Sequence, residues 1–399
     1  MQLRKKVLFF PQNKTHLDNM SPVANALQAK GYDVSFLSAS NIYKQNIYYD
    51  SFPFQIINID LSTPVSFAFL SSFRKIIFLR NFVEYISLLR FNNYDYFIYG
   101  NDGALQRVFI AKYRRVKHFL ILDGMISDYT FSMLSIFRFS DNPINDLKRK
   151  VRDILKSVLN KIFAYLPYNY YFPSDVGCSD LDKIFVLSDY INNVIYNQRI
   201  KKTDIITSGM PRYKFLNKNS LIDSPVKNIV YITEAFIWHN DRFSDVLQHK
   251  TIKLLVNHLK SNNSYDVKLT VRVHPRDDVR NYDYLFNESF VSVEDSQINI
   301  YETIQNSNII LGVNSTVMLE ALYVEKKVIF LFFNNEYWRY ERSFLTDLFF
   351  KKVFSEKELM TELMVENDCA VEKEKLEYYF NPNPEKSVDI IVNAITKND

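Results

Sequence analysis

Three short stretches of this 399-residue chain bring together side chains that can move a proton or hold a phosphate. The first is Leu122-Asp123-Gly124. A carboxylate at the tip of a strand, freed by the glycine after it, can reach into a cleft and take a proton from a hydroxyl. The structural alternative is an aspartate that bonds its own turn. The second is Arg272-Val273-His274-Pro275-Arg276. Proline ends a ladder, so the imidazole of His274 leaves the sheet between two cations, Arg272 and Arg276, suited to phosphate. A histidine satisfied inside the fold is the competing reading. The third is Gly312-Val313-Asn314-Ser315-Thr316, running into a helix that carries Glu320. Free N–H groups and the positive end of the helix dipole make an anion site there. The same residues, Asn314 or Ser315, serve equally as N-caps.

Such residues act together only if a scaffold gathers them, and the hydrophobic pattern describes one. Lys6–Phe10 reads as a buried parallel strand, Pro11–Asn19 as a polar loop, Met20–Lys30 as a helix stopped by Gly31, and Asp33–Leu37 as a second strand. Strands follow at 94–99, 117–122, 183–187 and 204–207, with helices over 104–113 and from Asp189, capped by Ser188. After a polar linker at 216–225 the alternation restarts. Strands are expected at 227–233, 267–273, 309–313 and 327–332, and helices at 246–259, 300–305 and 315–323. Two such runs predict an α/β chain of two Rossmann-like domains, 1–215 and 226–380, with a helix in 381–399 packing back on the first. Of the seven glycines, Gly100, Gly103, Gly124, Gly209 and Gly312 fall at or near strand ends, where ligands bind in open α/β sheets.

Composition narrows the chemistry. A net charge of +4 is too mild for a nucleic-acid binder, and Cys178 and Cys369 form no metal or disulfide pattern. No apolar run is long enough for a signal peptide or a membrane span, so a cytoplasmic protein is expected. GxGxxG after the first strand and the P-loop signature are both missing. Asp180-Leu181-Asp182 spells DxD but precedes its strand, and reads as a turn rather than a metal site. Residues 147–166 alternate Lys and Arg with apolar residues; this is either the basic face of a packed helix or a peripheral membrane contact. Residues 67–91 carry a weaker version of the pattern.

The order acid-Gly, His-Pro, Ser-Thr resembles the bacterial sialyltransferases of GT-B architecture, which carry acidic-acidic-Gly, His-Pro and Ser-Ser/Thr motifs. Leu122 stands where their first acid would be. The stretch 301–330 is also similar to the nucleotide-binding half of capsule and teichoic-acid transferases and of UDP-sugar 2-epimerases. The resemblance implies two Rossmann-like domains facing each other across a cleft. It also implies inverting transfer of a sialic-acid-like sugar from a CMP donor to a hydroxyl of a glycan or glycolipid, such as lipopolysaccharide or capsule, without metal or other cofactor. Asp123 would then deprotonate the acceptor and His274 would protonate or stabilise the leaving phosphate. Arg272, Arg276, Asn314, Ser315 and Thr316 would bind the nucleotide phosphate, and Glu302 the ribose. His16, in the first βα loop, with Asn101 and Asp102, completes the acceptor-side candidates. Donors such as CMP-Kdo, a CDP-polyol or a UDP-sugar stay open, as do a UDP-sugar 2-epimerase and a non-catalytic scaffold for polysaccharide assembly.

Overall fold

The computed structural model describes residues 4–44, 52–89, 91–124, 169–171, 176–199, 203–216, 227–236, 242–261, 267–295, 298–313, 315–331, 351–365, 373–381 and 384–397. The basic stretch 147–166, most of the linker, Cys369 and Asn314 lie outside these residues. The chain divides into two compact units. One holds Met1–Ile126, Thr130–Lys214 and Asn381–Asp399, and the other holds Ser127–Tyr129 and Phe215–Phe380.

The first unit is built on seven parallel strands: β1 (Lys6–Phe10), β2 (Asp33–Ser38), β3 (Gln55–Asn58), β4 (Tyr96–Tyr99), β5 (Lys117–Ile121), β6 (Lys183–Val186) and β7 (Asp204–Thr207). Their order is β3-β2-β1-β4-β5-β6-β7. The inner strands are continuous apolar runs because both faces of the sheet are covered; all four residues of β4 are buried. One cover is α1 (Lys14–Ala29) with the last helix, Ser387–Thr396; Ile391, Val392 and Ile395 share a core with Met20, Phe9 and Phe36. The other cover includes the helices Ser72–Leu88 and Ala104–Lys112, whose Phe82 and Phe109 pack with Phe97. Strand order reverses between β1 and β4, which sets a ligand crevice at their carboxyl ends.

Helix α1 begins at Lys14, not at Met20. The Asn13 side chain accepts from the His16 N–H and caps it, and Pro22 sits inside the helix. The polar stretch after β1 is therefore a helical first turn, and His16 sits on it. Past its other end Gly31 takes a φ of +89°, open to glycine and strained for any side chain.

The second unit has six parallel strands: β8 (Lys227–Ile232), β9 (Val267–Arg272), β10 (Val291–Glu294), β11 (Ile309–Gly312), β12 (Lys327–Leu331) and β13 (Lys351–Val353). They run β10-β9-β8-β11-β12-β13, reversing between β8 and β11. The helices Arg242–Ser261, Ile300–Gln305 and Thr316–Tyr323 connect them. Strands β3, β10 and β13 are absent from the hydrophobic pattern; each lies at a sheet edge and is only partly buried.

Three polar groups serve this scaffold. Asp182, the second acid of the DxD, accepts the His118 backbone N–H at 2.6 Å and ties the start of β6 to β5. His118 lies in the core between the Tyr99 hydroxyl (2.9 Å) and the Tyr113 carbonyl (3.1 Å), and burial pushes its imidazole down to about 4. Asp102, expected on the acceptor side, is buried instead. Its carboxylate accepts from the N–H groups of Gly177 (2.9 Å) and Ser179 (3.0 Å) and from the Ser179 hydroxyl (2.7 Å). It anchors the segment before β6 and is not offered to a ligand.

Asp102→Ala should leave two buried backbone donors unpaired and cost about 2–5 kcal/mol. Thermal unfolding should show a clear drop in Tm, smaller for Asp102→Asn; an unchanged Tm in the alanine variant would contradict the anchoring role.

Candidate active site

In the first unit the crevice at the reversal point is occupied by an imidazole and a carboxylate. His16 Nε2 lies 2.9 Å from Asp123 Oδ2; the histidine side chain is 3% exposed and the aspartate 26%. The Gln12 backbone N–H donates to His16 Nδ1 at 3.0 Å. That bond leaves Nδ1 as an acceptor, which puts the ring proton on Nε2, toward the carboxylate. The ring has room because residue 100, at the end of β4, is glycine: a Cβ there would stand 2.3 Å from His16 Cγ.

These contacts distinguish the two side chains. Both ring nitrogens of His16 are engaged and the ring is buried, so its Nε2–H holds the Asp123 carboxylate in place. The carboxylate is the accessible partner. Burial works to raise its pKa, but electrostatic attraction to His16 and the hydrogen bond from it, with the charge of Arg212, outweigh burial and hold the group below the usual carboxylate range. Asp123 is thus ionised at neutral pH and is a weak base. A weak base suffices where the hydroxyl becomes acidic as it bonds to an electron-poor carbon. Arg212 follows β7, its backbone N–H held by Asn19 Oδ1 at 3.2 Å and its guanidinium over the Tyr213 ring. Arg212 was not among the residues expected at the site. Asn101 receives the Gly103 N–H at 3.2 Å in a local turn.

The second unit uses a similar device. His274 stands beyond β9, its backbone N–H donating to Thr233 Oγ1 at 2.9 Å. The Arg276 N–H donates to its Nδ1 at 3.1 Å, which again leaves Nε2 as the proton-bearing nitrogen. Arg276 is exposed beside it. Ser315 caps the helix Thr316–Tyr323, its hydroxyl accepting from the Val317 N–H at 3.4 Å, while Thr316 is exposed at the helix start. Glu302 is exposed in the first turn of the helix Ile300–Gln305.

Arg272 does not join them. It is buried, its guanidinium 3.6 Å from Glu294 across the β9–β10 register and donating to the Ile298 carbonyl at 2.6 Å. The expected phosphate ligand is a structural cation at the end of β9, next to the edge strand β10, because strand pairing places an acid beside it.

Glu234 was missed. It follows β8 at the reversal point, and Gln248 holds its backbone on both sides, accepting its N–H at 2.8 Å and donating to its carbonyl at 3.3 Å. Its Oε1 is buried without a hydrogen-bond partner. Burial pushes the carboxyl up to about 8. The rule that selected Asp123, an acid just past a strand, also applied to Thr233-Glu234. Among the described residues no three His, Cys, Asp or Glu side chains gather as metal ligands.

Two doubly wound parallel sheets, each with chemical groups at its reversal point, have counterparts among solved structures. The wall teichoic acid polymerase TagF superposes with a TM-score of 0.58 at 13% identity, covering 99% of this chain and 88% of that one. A UDP-N-acetylglucosamine 2-epimerase from Listeria monocytogenes, described as putative, gives 0.58 at 12% identity, covering 99% and 97%. The fold is GT-B. The glycotransferase of kitacinnamycin gives 0.55 at 11% identity, covering 100% and 96%. At these identities the likeness to GT-B proteins is one of fold. No protein-family model matches the chain, and no curated protein matches it in sequence.

Two outcomes follow from this GT-B geometry. Gly100→Ala should expel the His16 ring and reduce turnover about as much as removing His16, with the far-UV spectrum preserved; full activity would show that the ring has other room. Glu234 binds a proton in the folded chain that it lacks when unfolded between its ordinary 4.5 and about 8. Its stabilising contribution is therefore complete below that window and lost as pH rises through 8. Glu234→Gln should be relatively more stable than the parent at pH 9 than at pH 5; a constant difference in Tm across that range would refute the raised pKa.

Proposed function

We propose that this chain is an inverting glycosyltransferase that moves a sialic-acid-like sugar from a CMP donor onto a hydroxyl of a surface glycan or glycolipid. The observation that carries the reading is the accessible Asp123 carboxylate, fixed by His16 at the reversal point of the first sheet. In this reaction Asp123 takes the acceptor proton while the acceptor oxygen bonds to the anomeric carbon from the face opposite the nucleotide. The bond from that carbon to the phosphate oxygen breaks, and CMP leaves with the electron pair. His274, through Nε2–H, stabilises or protonates the departing phosphate, and Arg276, Ser315 and Thr316 hold it at a helix start. Arg212 favours an acid sugar, since it places a cation near Asp123 where a sugar carboxylate would need one.

A second reading, a UDP-sugar 2-epimerase, is favoured by one feature. Glu234 supplies a titratable group in the second unit, and epimerisation needs acid–base groups around the donor sugar itself. Thermal shift with CMP, CDP and UDP separates the readings, since the true ligand raises Tm by mass action.

Asp123→Asn should lower transfer on the order of 10²–10⁴-fold with nucleotide affinity near that of the parent. Isothermal titration beside a product assay tests this, and substantial transfer by the variant would remove Asp123 as base. A monophosphate leaving group needs less charge neutralisation than a diphosphate. Transfer should therefore persist in excess EDTA; complete loss restored by Mg²⁺ or Mn²⁺ would sink the metal-free mechanism.

A further inference from the structure

The helix Ser72–Leu88 buries one face and leaves the opposite one bare. Leu79, Phe82 and Ile86 point into the core, while Phe73 is 72% exposed and Ile76 and Ile77 are close to half exposed. Phe73, Ile76 and Ile77 stand at helical spacing with Arg80 as the next member of the row, so they form one stripe rather than scattered residues. The turn before the helix adds Phe69 at 55%, and Lys75 fixes this turn by donating to the Ala68 carbonyl at 2.9 Å. Of the sixteen exposed large hydrophobic side chains among the described residues, six fall between residues 65 and 88. The apolar surface is thus concentrated in one patch, and patches of this kind mark docking sites.

The charge around it selects the partner. Residues 65–89 contain Arg74, Lys75 and Arg80 against one acid, Glu84, a net charge of +2. Arg74 and Arg80 are exposed beside the stripe, and Glu84 lies a turn further along, paired with Arg80 at 3.3 Å. Bulky apolar side chains flanked by guanidinium groups match the boundary between acyl chains and anionic headgroups. No described helix is long and apolar enough to cross a membrane, so the contact is peripheral.

We propose that this face, Phe69, Phe73, Ile76 and Ile77 with Arg74 and Arg80, docks the protein on an anionic lipid bilayer. The inference is independent of which donor or reaction the reversal-point residues serve. The basic stretch 147–166 is not needed for it.

The test is co-sedimentation of the full chain with phosphatidylglycerol-containing vesicles and with pure phosphatidylcholine vesicles, at low and high salt. The parent should partition onto the anionic vesicles and be released by salt. A Phe73→Glu/Ile76→Glu variant and an Arg74→Glu/Arg80→Glu variant should each bind about tenfold more weakly or worse. Unchanged Tm would show that both variants are folded, and the milder Phe73→Ser/Ile76→Ser pair should repeat the loss without adding charge. Failure of the parent to bind anionic vesicles would overturn the proposal. So would equal binding by the parent and the apolar variants. A parent that is dimeric in sedimentation velocity and becomes monomeric with Phe73→Glu/Ile76→Glu would instead assign the face to a second copy of the chain.

Discussion

The imidazole of His16 lies against the end of β4 only because residue 100 has no side chain, and the chemistry of the first unit depends on that space. With the ring seated, the Gln12 amide fixes its tautomer and Nε2–H holds one oxygen of Asp123. The carboxylate is then fixed at a strand tip, ionised and accessible. Three strand ends contribute to it: the turn after β1 gives Gln12 and His16, β4 gives the glycine, and β5 leads to Asp123. A parallel sheet aligns those ends, because every strand leaves it in the same direction.

The second unit repeats the logic with other residues. His274 is turned by a backbone amide on Nδ1, as His16 is, but the amide comes from a residue after it in sequence. That bond makes Nε2 the proton-bearing nitrogen of His274, as it is in His16. Glu234, held by Gln248 at the reversal point between β8 and β11, adds a carboxyl that keeps its proton at neutral pH.

The strands nearest each reversal point were legible because burial on both faces makes them continuous apolar runs, as Val7–Phe10 and Ile309–Leu311 show. The edge strands β3, β10 and β13 were not, since a half-buried strand of three or four residues looks like a loop. Helix α1 was read too short because Lys14–Asn19 is polar and Pro22 interrupts the pattern; only Asn13 as a cap marks its true start. Arg272 and Asp102 were misjudged for a shared reason. Their partners, Glu294 and the 177–179 segment, are brought beside them by strand pairing and chain return, and local spacing encodes neither. The structure, in turn, supplies what the sequence lacked about His16: a contact with a residue more than a hundred positions away.

The central claim is that His16 acts on the reaction through Asp123. A kinetic double-mutant cycle with His16→Asn, Asp123→Asn and the pair measures this directly, because residues working as one unit give non-additive losses. The expected result is that the double variant turns over no more slowly than Asp123→Asn alone. Losses that simply add, with the double variant slower by the product of the two single factors, would show that His16 and Asp123 act separately and would contradict the account.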